Sequence, residues 1–152
     1  GWFRQHRKAL MRHAGIPTGV HVLLERGGRV LLMRRAGTGF FDGLYSLPGG
    51  HVEEGEALRA TAVREMREEL GIGIAETALA VLGVVHRRSD TNRIDFFLRA
   101  AEWSGEPFIA EPQRCDELLW CAPDALPEAV VPYIREALAA GDGPWIRESG
   151  WP

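Results

Sequence analysis

Three glutamates at short spacing are the residues of this sequence best suited to chemistry. Glu65, Glu68 and Glu69 stand at positions i, i+3 and i+4 of the segment LRATAVREMREEL. An apolar residue recurs at every fourth position of the same segment: Leu58, Ala62, Met66 and Leu70. This periodicity predicts a helix over residues 57–70 whose three carboxylates project from one adjoining arc beside a core-facing stripe.

Clustered like charges destabilise a bare helix, so the three carboxylates require a compensating partner. A divalent cation is the expected partner, and a set of oxygen ligands favours Mg²⁺ or Mn²⁺ over softer metals. A solvated acidic helix face is the competing interpretation. Three neighbours favour the metal: Arg64 is placed to orient Glu68, Gly49-Gly50 permits a close backbone approach, and Gly71 supplies a helix stop.

The stretch from Gly50 to Ile72 resembles the Nudix box, G-x5-E-x7-R-E-U-x-E-E-x-G-U with U aliphatic, and matches it at every fixed position. The motif positions are Gly50, Glu56, Arg64, Glu65, Glu68, Glu69 and Gly71. The segments FFDGLYSLPGGHVE, RIDFFLRA and EPQRCDELLW are similar to a bacterial MutT-type subgroup, so the resemblance extends over roughly residues 18–140.

The resemblance implies a Nudix hydrolase that cleaves the diphosphate linkage of a nucleoside triphosphate or a related nucleoside diphosphate derivative, using Mg²⁺ or Mn²⁺. Water attack on a diphosphate adds negative charge to a group already rich in it, which is why such chemistry needs cations. Two alternatives stay open. One is cleavage of ADP-ribose, another nucleotide sugar or a dinucleotide. The other is a non-catalytic nucleotide-sensing domain, although such a domain is expected to lose box carboxylates and none is missing here.

Carried over by position, the resemblance also implies roles for the motif residues. The metal ligands would be Glu65, Glu68, Glu69 and a carbonyl oxygen of Gly49 or Gly50. Arg64 would hold a carboxylate in place through charge-assisted hydrogen bonds. Glu56 would serve loop geometry or an outer metal contact.

The general base is not decided by the box. Glu69 is the first candidate, Glu68 the second and Glu111 the third, because an acid on a later loop can also activate water. Asp116 and Glu117 flank the same region and are weaker candidates.

Substrate contacts rest on residue type alone, since arginine suits phosphate groups and aromatic rings suit a base. The predicted substrate-binding residues are Arg34, Tyr45, Arg88 and Arg93. Further candidates are Arg35, Arg87, Phe40 and Phe97. Zinc is not expected, because ligand spacing is missing around the histidines His21, His51 and His86.

The composition is that of a single globular domain. The chain has 152 residues, 45% of them hydrophobic and 26% charged, with a net charge of −3 that argues against a nucleic-acid binder. No apolar run approaches the roughly 18 residues that span a membrane. The two cysteines, Cys115 and Cys121, are too few for a disulfide framework. We therefore expect a cytoplasmic protein whose partner is a small nucleotide substrate, with homodimer formation left open.

The order of predicted elements indicates an α/β (α+β) fold, and the resemblance implies a Nudix-type α/β/α sandwich with a mixed central sheet. Residues 1–17 would be an N-terminal extension or an artificially trimmed end, and residues 18–152 one domain. The predicted strands are 18–24, 29–34, 44–47, 79–86, 93–101 and 115–121, with helices over 57–70 and 131–140. Residues 144–152 would form a tail in which Trp145, Ile146 and Trp151 dock on the body.

Overall fold

The computed structural model describes residues 15–152, so most of the predicted N-terminal extension lies outside the described residues. The strands are β1 (Thr18–Arg26), β2 (Arg29–Arg35), β3 (Tyr45–Ser46), β4 (Gly49–His51), β5 (Ala80–Arg88), β6 (Asn92–Ala100), β7 (Cys115–Cys121) and β8 (Trp145–Ser149). The helices are α1 (Leu58–Leu70) and α2 (Pro132–Ala139), with a 3₁₀ turn at Glu76–Ala78. None of these helices combines the length and apolarity needed to cross a bilayer.

The strands form one mixed sheet around β1. β1 pairs in parallel with β6, and β5 lies antiparallel to β6 and parallel to β8. On its other side β1 pairs with β4 and, at its end, with β2, which in turn pairs with β3 and β7. The mixture of parallel and antiparallel pairs confirms the predicted mixed sheet.

Two buried clusters cover the two faces of this sheet. Successive residues of a strand point to opposite faces, so each central strand contributes to both clusters. The cluster on the α1 side includes Val20, Val22, Leu24, Ala62, Met66 and Leu70. The cluster on the α2 side includes Leu23, Val85, Phe97, Ile134 and Ala137. A helix against each face is the expected α/β/α sandwich, and the predicted apolar stripe of α1 is buried except for Leu58, which is half-buried.

The glycine and proline residues predicted to form a turn and to end or begin the helices do so in the structure. Gly27 and Gly28 both have positive φ and connect β1 to β2 as a two-residue hairpin. Gly71 adopts the left-handed conformation at the end of α1, where its N–H donates to the Arg67 carbonyl and the next N–H donates to Met66. Pro132 occupies the first turn of α2, where its missing N–H costs nothing.

Two parts of the chain differ from the prediction. The predicted C-terminal tail contains β8, which adds a parallel strand beside β5, and Ile146 is 77% exposed instead of docked. Trp145 takes the space above Gly83, where any side chain would overlap its ring. The other difference is β4, because Gly49–His51 forms a strand with β1 where a loop was expected.

Candidate metal centre and active site

Arg64 forms ion pairs with two of the carboxylates on α1, Glu65 and Glu68. Its Nη1 lies 2.9 Å from Glu65 Oε1 and 3.2 Å from Glu68 Oε2. Its Nε and Nη2 donate to the two oxygens of Glu56 at 2.7 and 3.0 Å. Contact with Glu68 was predicted, but the two-point contact with Glu56 is the stronger one, and it raises the pKa of Arg64.

Glu56 braces the segment that leads into α1. Its carboxylate accepts hydrogen bonds from Arg64, from the Thr61 hydroxyl at 2.6 Å and from the Glu53 N–H at 3.4 Å. These donors, Arg64 first, lower the pKa of Glu56 to about 2. Of the two roles that the resemblance implied, the contacts therefore correspond to loop geometry.

Strand β4 brings bare backbone against the carboxylates. A side chain on Gly50 would overlap the Glu65 carboxylate, and one on Gly49 would overlap the Val20 carbonyl. Glycine at both positions is thus what allows β4 to lie between β1 and α1. The Gly49 N–H donates to Glu69 Oε2 at 3.0 Å, which couples β4 directly to the helix.

Glu65 and Glu69 are the buried members of the carboxylate group, whereas Glu68 is exposed. The Glu65 side chain is 13% exposed and that of Glu68 is 51% exposed. Burial raises the pKa of Glu69 well above its usual value, and repulsion from Glu65 and Glu111 adds to this effect. Burial also raises the pKa of Glu65, against the opposing attraction of Arg64.

Glu111 belongs to this group although it lies more than forty residues after α1 in the chain. Its negative charge raises the pKa values of both Glu65 and Glu69. The backbone secures the position, because the Ala110 N–H donates to the Glu69 carbonyl and the Arg114 N–H donates to the Glu111 carbonyl.

A divalent cation fits this donor set in its chemistry. Three of the four carboxylates are wholly or partly withdrawn from water, and two of these are forced toward the neutral form when no cation is present. The side chains are not arranged around one common point: within residues 15–152, no three acidic, histidine or cysteine side chains are close enough together to coordinate one metal ion. The physical reason is that Glu65 and Glu68 point toward Arg64 while Glu69 points toward Gly49.

A second polar group lies behind β4, on the α2 face of the sheet. Arg87 Nε donates to Asp95 Oδ2 at 2.6 Å, and both side chains are buried. His21 Nε2 lies 3.2 Å from the other Asp95 oxygen. Burial alone would raise the pKa of Asp95, but His21 and Arg87 outweigh it and the pKa is lowered. A side chain on Gly19 would meet this carboxylate at 2.6 Å, so glycine makes room for it.

Three arginines surround Tyr133 and form what we call the arginine cluster: Arg35, Arg87 and Arg93. The Arg87 guanidinium lies 4.1 Å from the centre of the Tyr133 ring. Burial raises the pKa of Tyr133 to about 12, while all three arginines act in the opposite direction. Strand pairing places Arg35 opposite Cys115, whose N–H donates to the Glu111 carbonyl at 3.2 Å, so the arginine cluster borders the carboxylate group. Such an arrangement can bind an anion beside a metal site.

The predicted substrate-binding residues lie in different places. Arg93 belongs to the arginine cluster and has a buried Nε with no hydrogen-bond partner. Arg34 is paired with Asp116 and Glu117 at 2.6 and 2.8 Å, and the Tyr45 hydroxyl donates to Glu117 at 2.7 Å. Arg88 is exposed beside Trp151, 5.9 Å from its ring. Phe97 is fully buried and stacks on His21.

Asp95 and Tyr133 were not among the predicted site residues. One feature of the sequence could have identified Asp95. It shares a strand face with Phe97, and an acidic residue on a buried face needs a charged partner. Tyr133 has no such feature, since an aromatic residue in the first turn of a short helix is ordinary core sequence.

Comparison with known proteins adds a family and several relatives. A model described as NUDIX domain matches residues 15–141. The chain is 34% identical over 127 residues to the CTP pyrophosphohydrolase of Escherichia coli (strain K12), covering 79% of this chain and 90% of that protein. It is 33% identical over 106 residues to the NAD-capped RNA hydrolase NudC of Pseudomonas aeruginosa (strain LESB58), covering 70% of this chain but only 36% of that protein. A crystal structure of MutT NUDIX hydrolase from Burkholderia pseudomallei matches with a TM-score of 0.76 at 32% identity, covering 83% of this chain and 98% of that one.

Proposed function

The chain belongs to the NUDIX family of hydrolases, and from this premise we propose that it cleaves the diphosphate linkage of a nucleoside triphosphate, using Mg²⁺ or Mn²⁺. One observation carries the proposal: the buried carboxylates Glu65 and Glu69 face the side-chain-free backbone of Gly49 and Gly50, with Glu111 beside them. Buried like charges are costly unless something binds them, and a cation with a bound diphosphate would do so.

The proposed cation ligands are Glu65, Glu68, Glu69 and a carbonyl oxygen of Gly49 or Gly50. When bound, the cation supplies charge neutralisation for the diphosphate and for the departing phosphate groups. Arg64 holds the carboxylates of Glu65 and Glu68 together, since both lie within 3.2 Å of its Nη1. Manganese is expected to substitute for magnesium because the donors are all oxygen atoms.

Glu69 is the proposed general base. Its carboxylate is withdrawn from bulk water and held by the Gly49 N–H at 3.0 Å, beside the proposed cation ligands. Glu111 is the second candidate, since the hydrogen bond from the Ala110 N–H to the Glu69 carbonyl places it beside Glu69 on a separate turn. Glu68 ranks below both here because it is exposed.

The arginine cluster is proposed to bind anionic phosphate groups of the nucleotide beside the cation. It borders the carboxylates through Arg35 and carries two positive charges more than its single buried acid, Asp95. Of the residues predicted from sequence, Arg93 fits this role best because its buried Nε has no hydrogen-bond partner among residues 15–152, with only Asp90 at 3.9 Å. Arg34 and Tyr45 are proposed to be structural instead, since their polar atoms are satisfied by Glu117 and Asp116.

The preference for a nucleoside triphosphate over a nucleotide sugar or dinucleotide is the finer part of the proposal. It is supported by the likeness to a CTP pyrophosphohydrolase over nine tenths of that protein. The likeness to NudC is restricted to about a third of that protein, so it weighs less.

A substrate panel tests the proposal. The eight common nucleoside triphosphates, ADP-ribose and a diadenosine polyphosphate are incubated with the protein and Mg²⁺, and the products are separated by ion-exchange chromatography. We expect nucleoside monophosphate and pyrophosphate from at least one triphosphate, and no products after chelation. Preferential cleavage of ADP-ribose or of the dinucleotide would overturn the triphosphate assignment. Absence of metal-dependent cleavage across the panel would favour the non-catalytic, nucleotide-sensing alternative.

A further inference from the structure

The segment between β2 and β3, residues 36–43, presents two aromatic rings to solvent. Phe40 is 44% exposed and Phe41 is 36% exposed, and their ring centres lie 4.7 Å apart in an edge-to-face arrangement. Each residue therefore leaves more than a third of its surface in contact with water, and this apolar area is available to a binding partner. We call this segment the aromatic loop.

The aromatic loop is held in one shape by its own polar contacts. Asp42 accepts hydrogen bonds from the Thr38 N–H at 3.1 Å and the Gly39 N–H at 2.8 Å. Phe41 has a φ of 55°, which is an uncommon conformation for a bulky residue and persists only where the surroundings enforce it. The two rings are therefore displayed by a braced loop, at a cost in backbone strain.

Two tethers place this loop beside the carboxylates of α1. Arg35, a member of the arginine cluster, donates from Nε to the Phe40 carbonyl at 2.7 Å. On the other side, the Ala36 N–H donates to the Arg114 carbonyl at 3.0 Å, in the same turn that carries Glu111. The residue before Glu111 links this turn to α1, because the Ala110 N–H donates to the Glu69 carbonyl at 3.0 Å. The rings thus stand at the rim of the proposed active site.

We propose that Phe40 and Phe41 form an aromatic platform on which the base of the nucleotide stacks while its phosphates lie at α1. The inference rests on the proposed function and deepens it by naming the part of the substrate that the loop recognises. A base is the occupant that fits, because it is planar, offers a π-face whatever its identity, and is linked to the charged group that the neighbouring site would hold. Such a platform tolerates different bases, so it would contribute affinity more than base selectivity.

The test is calorimetric binding in the presence of Mg²⁺. The first probe is a nucleoside triphosphate whose α,β-bridging oxygen is replaced by methylene, so that it binds without being cleaved. The second probe is methylene diphosphonate, which has no base. The parent is compared with Phe40→Leu/Phe41→Leu, which keeps apolar bulk but loses the rings, and with Phe40→Tyr/Phe41→Tyr, which keeps the rings.

We expect the leucine variant to bind the nucleotide analogue about 5- to 150-fold more weakly, as for loss of base stacking, and the tyrosine variant to bind like the parent. The Kd for methylene diphosphonate should be unchanged in both variants. Phe108→Leu is the matched control, because Phe108 is 56% exposed and lies against Gly71, outside the aromatic loop.

Two results would overturn the inference. One is an unchanged Kd for the nucleotide analogue in the leucine variant; if that variant also loses self-association in ultracentrifugation, the rings are a contact between copies of the chain. The other is equal weakening of both probes, which would mean that the loop shapes the phosphate site instead of contacting the base. A parent that binds the analogue through the rings but cleaves no nucleotide would reject the proposed function alone.

Discussion

Removing the charge from the two buried carboxylates of α1 should abolish the stabilisation of the protein by magnesium. The substitution is Glu65→Gln/Glu69→Gln, which keeps side-chain size and leaves an oxygen to accept the Gly49 N–H bond. A cation that binds only the native state stabilises it by RT ln(1 + [L]/Kd), which is about 2.7 kcal/mol at a hundredfold excess over Kd. For a chain of 152 residues, this corresponds to a rise in melting temperature of about 5–11 °C.

The same substitution should stabilise the metal-free protein near neutral pH, because burial and mutual repulsion disfavour both ionised carboxylates. The sign follows from the pKa of Glu69, which is higher in the folded state than in the unfolded state. Stability from this group is present below the unfolded pKa and is lost as pH rises through the folded pKa. The metal-free parent should therefore gain stability on mild acidification, and the double variant should gain less.

The assay is thermal unfolding at fixed ionic strength, with and without Mg²⁺, followed by circular dichroism. The matched control is Glu76→Gln/Glu136→Gln, which removes two exposed negative charges outside the carboxylate group and should keep the full magnesium shift. Equal magnesium shifts in the parent and in the Glu65→Gln/Glu69→Gln variant would refute the reasoning, because the cation would then bind elsewhere.

Three further predictions concern single residues. Glu69→Gln should lower kcat about 10²- to 10⁴-fold if it is the base, and more if a cation ligand is lost as well; steady-state kinetics with the best substrate of the panel measures this. Gly50→Ala should destabilise the protein by about 1–3 kcal/mol and reduce the rise in melting temperature with magnesium, because its methyl group overlaps the Glu65 carboxylate. Urea unfolding measures the stability, and a parental free energy of unfolding with a parental magnesium effect would contradict the prediction. Asp95→Asn should cost about 3–5 kcal/mol, because its buried arginine partner is left uncompensated, and the pH dependence of unfolding should lose a component in acid.

The parts of the fold that were predictable are those with local causes. The four-residue stripe of α1, the Gly27-Gly28 turn and the Gly71 helix stop each depend on neighbours in the sequence, and all three are confirmed. The strand β8 depends on a distant cause, the gap above Gly83 that Trp145 fills. No pattern within residues 144–152 contains that information.

The candidate site divides in the same way. The carboxylates of α1 could be placed from spacing, because residues three and four apart on a helix are neighbours. The aromatic loop could be identified as apolar, but its exposure depends on the contacts of Arg35 and Arg114. Asp95 and Tyr133 both contact His21 only because β6 and α2 pack on one face of the sheet.

The carboxylates of α1 are held by contacts between residues close in sequence, whereas the polar group around Asp95 and Tyr133 is held by contacts between distant residues. This difference affects the order in which the two groups form during folding. The Gly49–Glu69 bond joins residues 20 apart, whereas His21 contacts Asp95 at a separation of 74 and Tyr133 at a separation of 112. Closing a longer loop costs more entropy, and non-local contacts slow folding. During refolding, the amides of α1 should therefore gain protection from hydrogen exchange before those of β6. The chain would then have its carboxylates in place while the arginine cluster is still unformed, so magnesium could act on a folding intermediate that has no complete nucleotide site.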